Sequence, residues 1–144
     1  MENYQVASLN GESFALQADG QGVRIIDVIA AKNLTAKDSG ATLILKAAAG
    51  AAIALPALKA GLKYKFTVGL AFATTNWTIV SATSVIQGNV LVNSLHVPAV
   101  NENTVSFVAT ADSLGDSIEL ECDGTNWYLN GSGVTTGSIT VTAP

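Results

Sequence analysis

The fold is decided by a stretch in which apolar and polar residues alternate, Leu62-Lys63-Tyr64-Lys65-Phe66-Thr67-Val68-Gly69-Leu70. Every second residue from Leu62 onward is apolar, whereas Lys63, Lys65 and Thr67 lie between them. Successive side chains of a β-strand point to opposite faces, so this period puts the apolar residues on one face. A helix could not bury the same pattern on a single stripe. The stretch therefore predicts a strand over 62–70 with one buried face.

Other segments predict further strands. The alternation recurs at Ser117–Cys122, with Ile118, Leu120 and Cys122 inward and Glu119 and Glu121 outward. It recurs over 137–142, where Ile139 and Val141 are set against Ser138, Thr140 and Thr142. It recurs over 104–110, where Val105, Phe107 and Ala109 are set against Thr104 and Ser106. β-Branched and aromatic residues predict strands over 23–29, 42–46, 51–55, 77–82, 85–92 and 126–129.

These strands predict an all-β domain, a compact antiparallel sandwich or barrel with at most one short helix. Asp123-Gly124 lies between two of them and predicts a hairpin with a type I′ turn. The segments 30–37 and 47–52 are rich in alanine but lack an apolar stripe of helical period. Residues 1–20 alternate weakly and predict an extended N-terminal arm, with a single β domain over 21–144.

The composition bounds the partners of the chain. It has 144 residues, of which 49% are hydrophobic and 12% are charged, and its net charge is −4. Small neutral side chains replace charges, which favours an oligomer or a surface-binding protein over a monomer of low charge. The few scattered basic residues argue against binding to nucleic acid, and no apolar run is long enough to span a membrane. Residues 1–5 lack the features of a signal peptide, so we expect synthesis in a cytoplasm.

Few residues are suited to catalysis. His96 is the only histidine and Cys122 the only cysteine, and both are interpreted as structural, His96 at the surface and Cys122 in the core. Acidic residues cluster from Asp112 to Asp123 without the spacing of a calcium loop, and Glu119 and Glu121 fit a solvated strand face. We therefore expect no enzyme, no metal site, no cofactor and no small-molecule substrate.

Three aromatic residues remain as candidates for binding sugars. Trp77 alternates with Ile79 and is interpreted as core. Trp127 and Tyr128 are adjacent, so on a strand they face opposite ways, and one of them is expected at the surface. An exposed aromatic ring can stack on a sugar, which leaves carbohydrate recognition open as an alternative function.

The stretch from Gly115 to Leu129, Gly-Asp-Ser-Ile-Glu-Leu-Glu-Cys-Asp-Gly-Thr-Asn-Trp-Tyr-Leu, resembles a hairpin that is common in structural proteins of tailed bacteriophages. Segments at 38–42, 53–56 and 60–66 are similar to upstream segments of the same proteins. Together the similar segments cover most of residues 38–142. The hairpin is shared by small head proteins and by tail-fibre segments, and the short length of the chain favours a capsid decoration protein.

This resemblance implies a β-tulip fold and a homotrimer that binds the major capsid protein and stabilises the shell. It implies a location on the outer surface of the virion and an N-terminal arm that contacts the capsid. The alternative is a tail-fibre or spike domain that recognises host sugars, although no repeats or coiled-coil shaft are present. A bacterial carbohydrate-binding module is a third class, and it would be expected to carry a secretion signal.

Overall fold

A computed structural model describes residues 4–9, 12–17 and 23–144, and describes side chains from residue 23 onward. In this part of the chain no helix has the length and hydropathy needed to cross a bilayer. The described residues form one short 3-10 turn, Ala36–Asp38, and fourteen strands. The strands are β1 Tyr4–Leu9, β2 Glu12–Gln17, β3 Arg24–Val28, β4 Lys32–Asn33, β5 Thr42–Leu45, β6 Ala52–Ala54, β7 Lys63–Val68, β8 Trp77–Val80, β9 Ile86–Val92, β10 Leu95–Glu102, β11 Thr104–Phe107, β12 Ser117–Cys122, β13 Trp127–Gly133 and β14 Ile139–Thr142.

The strands form two sheets that pack against each other as a sandwich. The large sheet has nine strands in the order β1-β2-β3-β5-β7-β12-β13-β9-β10, and the small sheet has five in the order β14-β11-β8-β6-β4. The predicted all-β domain with at most one short helix is confirmed, and of the sandwich and barrel alternatives the structure is a sandwich. The prediction of antiparallel sheets is wrong, because five of the described strand pairs are parallel. Parallel neighbours require connections that cross between the sheets, and alternation within a strand does not encode them.

The alternating stretch lies at the centre of the large sheet as β7, between β5 and β12. Leu62, Tyr64, Phe66 and Val68 are buried as predicted, in a core that both sheets share. Leu70 was expected on the same face but is 45% exposed. The strand ends at Val68, so the alternation of faces no longer applies two residues later.

Two serines that were expected to face outward are buried, Ser106 and Ser138. Ser106 lies on β11, which is paired on both sides by β8 and β14, so Thr78 and Thr140 flank it in the sheet. Ser138 precedes β14, and its backbone N–H donates to the carbonyl oxygen of Thr135 in a turn. These two predictions of exposure are wrong because strand neighbours and a turn, rather than alternation, decide burial there.

The predicted hairpin is present, with β12 and β13 paired from Ser117↔Ser132 to Cys122↔Trp127. Its predicted type I′ turn is wrong, because four residues separate the strands and only Gly124 among them has positive φ, at 98°. The Asp123 carboxylate accepts hydrogen bonds from the backbone N–H groups of Thr125 and Asn126, both at 2.8 Å. These bonds organise the four-residue loop that the sequence pattern had assigned to a tighter turn.

Strand β10 was not predicted, since Pro98 interrupts its pattern. It is an edge strand that pairs with β9 through a two-residue turn, Asn93-Ser94, in which both residues have positive φ. Such a turn makes Val92↔Leu95 a hydrogen-bonded pair, and alternation then makes Asn89↔Pro98 a non-hydrogen-bonded pair. The nitrogen of Pro98 therefore points to the open edge, where the missing N–H costs no ladder hydrogen bond and hinders pairing with another strand.

The predicted N-terminal arm falls partly outside the described residues, at 1–3, 10–11 and 18–20. Strands β1 and β2 pair with each other, and β2 joins β3 through two residue pairs, Ser13↔Ile25 and Phe14↔Arg24. The backbone of this segment is thus a hairpin that extends the edge of the large sheet. The division at residue 20 stays a prediction.

Candidate interaction surfaces

The two residues interpreted as structural lie where they were expected. Cys122 is 5% exposed, and the backbone N–H of Gly124 contacts its sulfur at 3.3 Å. His96 is exposed on β10, where its Nδ1 lies 3.1 Å from Oδ1 of Asn89. Within residues 23–144, no group of three His, Cys, Asp or Glu side chains could hold a metal ion.

The acidic residues from Asp112 to Asp123 are dispersed by the fold and do not form one site. Asp116 is buried and accepts hydrogen bonds from the backbone N–H groups of Ser113 and Val134, both at 3.0 Å. Asp112 accepts one from the N–H of Phe72 at 3.3 Å. Each of these carboxylates fixes a loop at one end of the sandwich, which is a structural role.

Glu119 and Glu121 lie on the solvent side of the large sheet, which we call the outer face. The ammonium nitrogen of Lys63 lies 3.6 Å from a Glu119 oxygen and 3.1 Å from a Glu121 oxygen. The hydrogen bond and charge of Glu121, followed by the charge of Glu119, raise the pKa of Lys63 above its ordinary value. The predicted solvated face is confirmed, and its carboxylates are held in place by a cross-strand lysine.

Tyr128 is the aromatic side chain of this outer face. Trp127 is fully buried whereas Tyr128 is 47% exposed, which confirms that the two adjacent residues face opposite ways. Trp77 is also fully buried, as predicted. Cross-strand pairing puts Tyr128 between Glu121 on β12 and Gln87 on β9.

The tyrosine ring is fixed by its hydroxyl, which donates to Oδ2 of Asp123 at 2.9 Å. The backbone N–H groups of Asn126 and Thr125, followed by this hydroxyl, lower the pKa of Asp123 below its ordinary value. Asp123 is therefore ionised at neutral pH and acts as a constant acceptor for the tyrosine. The ring is held against the hairpin and does not swing freely in solvent.

Shallow depressions lie beside the ring. One of about 220 Å³ is lined by Glu119, Glu121, Tyr128, Leu129 and Asn130. A second of about 290 Å³ shares Glu119 with the first and extends across β7 and β5 to Val23. We call the first of these, with its ring, two carboxylates and one amide, the Tyr128 site.

A different surface lies at one end of the sandwich. Strands β3, β5, β7, β13 and β9 run toward this end, and β12 and β10 start from it. Five large apolar side chains lie just beyond the strand ends or at the start of β10, and they are 45% to 71% exposed. They are Ile29, Leu70, Leu95, Leu114 and Val134, which we call the apolar end.

The charges near the apolar end have partners. Lys46 forms an ion pair with Asp27 at 3.3 Å, and Asp112 and Asp116 accept the backbone hydrogen bonds described above. Asp116 links the loop that carries Leu114 to Val134 and so fixes two members of the apolar end. We interpret this gathering of exposed aliphatic side chains at one end of the strands as a candidate binding surface.

Sequence reasoning missed the apolar end. Its members lie in connections that are distant along the chain, and only the strand order brings them to one edge of the sheet. The available signal was a large aliphatic residue at the last position of a predicted strand, as at Ile29 and Leu70. Hydrophilic turn residues are usual where a strand passes into a turn.

Comparison of the chain with protein-family models, with curated proteins and with solved structures gives no match. Function is therefore proposed from the surfaces of the described residues together with the resemblance noted in the sequence. The described residues offer two surfaces, the apolar end and the Tyr128 site, which differ in chemistry and position.

Proposed function

We propose that this chain is a non-enzymatic structural protein of a tailed-phage virion that binds the outer capsid surface as a homotrimer and stabilises the shell. The observation that carries the proposal is the apolar end, where five aliphatic side chains are exposed and the nearby Lys46, Asp27 and Asp112 side chains are engaged in an ion pair or a hydrogen bond. The resemblance of the hairpin region to phage structural proteins is the reason for proposing a virion as the assembly. The apolar end supplies the surface that such an assembly would bury.

We assign the apolar end to contact with the major capsid protein. A cyclic trimer needs two unlike patches on each subunit unless its contact lies on the axis, whereas the apolar end is a single patch. It extends from β3 to β10, which at the usual strand spacing is roughly 30 Å. A single patch of this width fits a single broad partner surface.

The energetics favour binding through many copies. Full burial of an aliphatic side chain contributes about 1.5–3 kcal/mol, so five side chains that are 45% to 71% exposed contribute about 5–10 kcal/mol together. Association costs about 4–15 kcal/mol in lost freedom, so one copy binds weakly through this surface alone. Once one subunit of a trimer is bound, the other two are held near the capsid, so their contacts cost less translational and rotational freedom. This is the advantage of a trimer over a monomer.

The aliphatic character of the apolar end predicts how capsid binding responds to salt. The contacts at the apolar end are aliphatic, and salt screens interactions between charges rather than apolar contacts. Capsid binding should therefore change little between low and physiological salt. A protein that binds through phosphate or carboxylate contacts would lose affinity steeply over the same range.

The N-terminal segment is proposed as a second capsid contact, as the resemblance implies. Strand β2 joins the rest of the large sheet through two residue pairs, so removal of residues 1–20 should leave the remaining sandwich folded. We expect the truncated protein to bind capsids more weakly while its thermal unfolding stays cooperative.

The test uses particles of the phage that encodes the chain, stripped of this protein and supplied with purified variants. Leu114→Ser combined with Val134→Ser should weaken binding by thirtyfold or more, since two apolar contacts of about 1–2 kcal/mol each are lost. Val100→Ser is the matched control, because Val100 is 65% exposed on β10 but lies away from the apolar end.

Full-length protein and the Val100→Ser variant should bind and raise the temperature of genome release, and the double variant should do neither at the same concentration. Analytical ultracentrifugation of the chain and counting of copies on the particle would measure the trimer. Failure of the full-length chain to bind, or binding without a rise in release temperature, would overturn the cementing role. Equal binding by the double variant would move the contact to another surface.

A further inference from the structure

The Tyr128 site has a chemistry that capsid binding does not use. It lies on the outer face of the large sheet, whereas the apolar end lies beyond the strand termini. A chain that is bound through the apolar end would leave this face exposed. The site therefore requires a separate explanation.

The side chains of the site are preorganised. Tyr128 is held by Asp123 at 2.9 Å, and Glu121 is held by Lys63 at 3.1 Å. On the other side of Tyr128, the backbone N–H of Asn101 donates to the side-chain oxygen of Gln87 at 3.2 Å. Side chains that are already fixed lose little conformational entropy when a ligand binds, which is the condition for recognition on a shallow surface.

The composition of the site matches a sugar ring. A pyranose presents one face of C–H groups, which packs on an aromatic ring, and a rim of hydroxyl groups. The half-exposed ring of Tyr128 supplies the apolar surface, while Glu119, Glu121 and Asn130 supply oxygens that accept hydrogen bonds from hydroxyl groups. Asn130 also supplies an amide donor.

The charge of the site favours a neutral ligand. The four charged residues of β7 and β12 on this face are Lys63, Lys65, Glu119 and Glu121, and their charges cancel. Both carboxylates lie close to the Lys63 ammonium, and Lys65 lies opposite Glu119 in the strand pairing, so each lysine of this face has a carboxylate neighbour. Asp123, which holds the Tyr128 hydroxyl, adds one further negative charge beside the ring, and this charge disfavours an acidic sugar.

The dimensions favour an oligosaccharide over a single compact ligand. The depression beside Tyr128 measures about 220 Å³, below the roughly 300–1,000 Å³ of sites for drug-sized molecules. It adjoins the depression of about 290 Å³ through the shared side chain of Glu119. Neighbouring depressions across β13, β12 and β7 could hold consecutive sugar units of one chain.

We propose that the outer face binds a neutral oligosaccharide, with one pyranose ring stacked on Tyr128 and its hydroxyl groups bonded to Glu119, Glu121 and Asn130. In a virion this site would attach the particle reversibly to glycans at a cell surface. The proposal does not depend on the capsid-binding role, because the isolated chain carries the whole site.

The test is calorimetric and NMR titration of the purified full chain with defined probes. Cellopentaose and chitopentaose serve as neutral probes, their disaccharides as short probes, and a heparin-derived pentasaccharide as the anionic probe. We expect millimolar or tighter binding to at least one neutral pentasaccharide and at least threefold weaker binding to its disaccharide. Binding to the anionic probe should be at least tenfold weaker.

Three variants separate the role of the ring from effects on folding. Tyr128→Ala should lower the affinity at least tenfold, whereas Tyr128→Phe, which keeps the ring but loses the bond to Asp123, should lower it less than fivefold. Glu121→Gln keeps the shape and an acceptor oxygen and should change affinity by less than fivefold. Leu91→Ala is the matched control, since Leu91 is 42% exposed on the same face in β9, outside the lining of the site.

The outcomes are distinct from those of the capsid assay. Tyr128→Ala should bind stripped particles as the unmodified chain does, and the Leu114→Ser, Val134→Ser variant should bind the neutral probe normally. No binding to either neutral pentasaccharide, preference for the anionic probe, or equal affinity of Tyr128→Ala and the unmodified chain would each overturn the proposal. A loss of sugar binding in the apolar-end variant would also contradict the separation of the two surfaces.

Discussion

Tyr64 should make the stability of this protein fall sharply at alkaline pH. The residue is fully buried near the start of β7, and its hydroxyl donates to the carbonyl oxygen of Thr35 at 2.8 Å. Burial, followed by the negative charge of Asp38, raises its pKa from 10.0 to about 12 in the folded protein, against a smaller opposing effect of Arg24. Removing this proton would leave a buried phenolate facing a carbonyl oxygen.

The direction of the effect follows from the raised pKa. Below pH 10 Tyr64 is protonated in both the folded and the unfolded chain, and its contribution to stability is complete. Above pH 10 the unfolded chain loses the proton while the folded protein keeps it, so unfolding becomes more favourable until the pH passes about 12. A difference of two pKa units corresponds to about 2.7 kcal/mol, of which about 2 kcal/mol is lost by pH 11.5.

The assay is urea unfolding at pH 9 and pH 11.5, followed by the fluorescence of the buried tryptophans. The unmodified chain and Tyr64→Phe are compared, with Tyr128→Phe as the control at a half-exposed tyrosine. Tyr64→Phe loses one hydrogen bond and should cost about 1 kcal/mol at pH 9. Between pH 9 and pH 11.5 the unfolding free energy of Tyr64→Phe should fall by about 2 kcal/mol less than that of the unmodified chain. Lysine titration affects both proteins equally and cancels in this comparison. Equal losses in the two proteins would refute the coupling of Tyr64 to folding.

Four further outcomes are expected from the packing. Cys122 should resist a thiol reagent in the native protein and react fully in urea, because it is 5% exposed; stoichiometric native labelling would contradict its burial. Gly88→Ala should destabilise the fold by about 3 kcal/mol or more in thermal unfolding, since φ is 130° and a Cβ would lie 2.2 Å from the carbonyl oxygen of Leu129. Asp116→Ala should cost about 2–4 kcal/mol by leaving two backbone N–H groups unpaired at the apolar end, whereas a neutral result would mean that water replaces the carboxylate. Ser138→Ala should leave stability unchanged or raise it by about 1 kcal/mol, because the buried hydroxyl has no hydrogen-bond partner among the described residues, and a clear loss would reveal one.

Beyond residue 20 the sequence predicted all the strands except β4 and β10, because the signal for a strand is local. The alternation from Leu62 to Val68 required no knowledge of neighbours, since the pleat of one strand separates its two faces. The same rule predicted that Cys122 is buried and that Trp127 and Tyr128 face opposite sides of the sheet, as the structure confirms. One exception is Leu70, which lies beyond the end of β7, and another is Ser106, which is buried within β11.

The candidate sites could be predicted only in part. Tyr128 was a candidate from its position beside Trp127, but its fixed ring depends on Asp123 in the hairpin loop and its neighbour Gln87 lies on a parallel strand. The loop itself was expected to be a two-residue turn, since the capping bonds of Asp123 are a property of the folded loop. The pattern of one strand does not reveal which side chains stand beside it in the sheet.

By itself the sequence determined that this chain is an all-β domain, a sandwich or a barrel, with an apolar core and few titratable groups. The tertiary structure alone decided that Ile29, Leu95 and Val134 share one end of the molecule and that parallel pairs run through both sheets. The physical reason is the range of the interactions. Alternation relates residues that are adjacent in the sequence. Strand order depends instead on burying one whole sheet face against the other, and segments about a hundred residues apart both contribute to that burial.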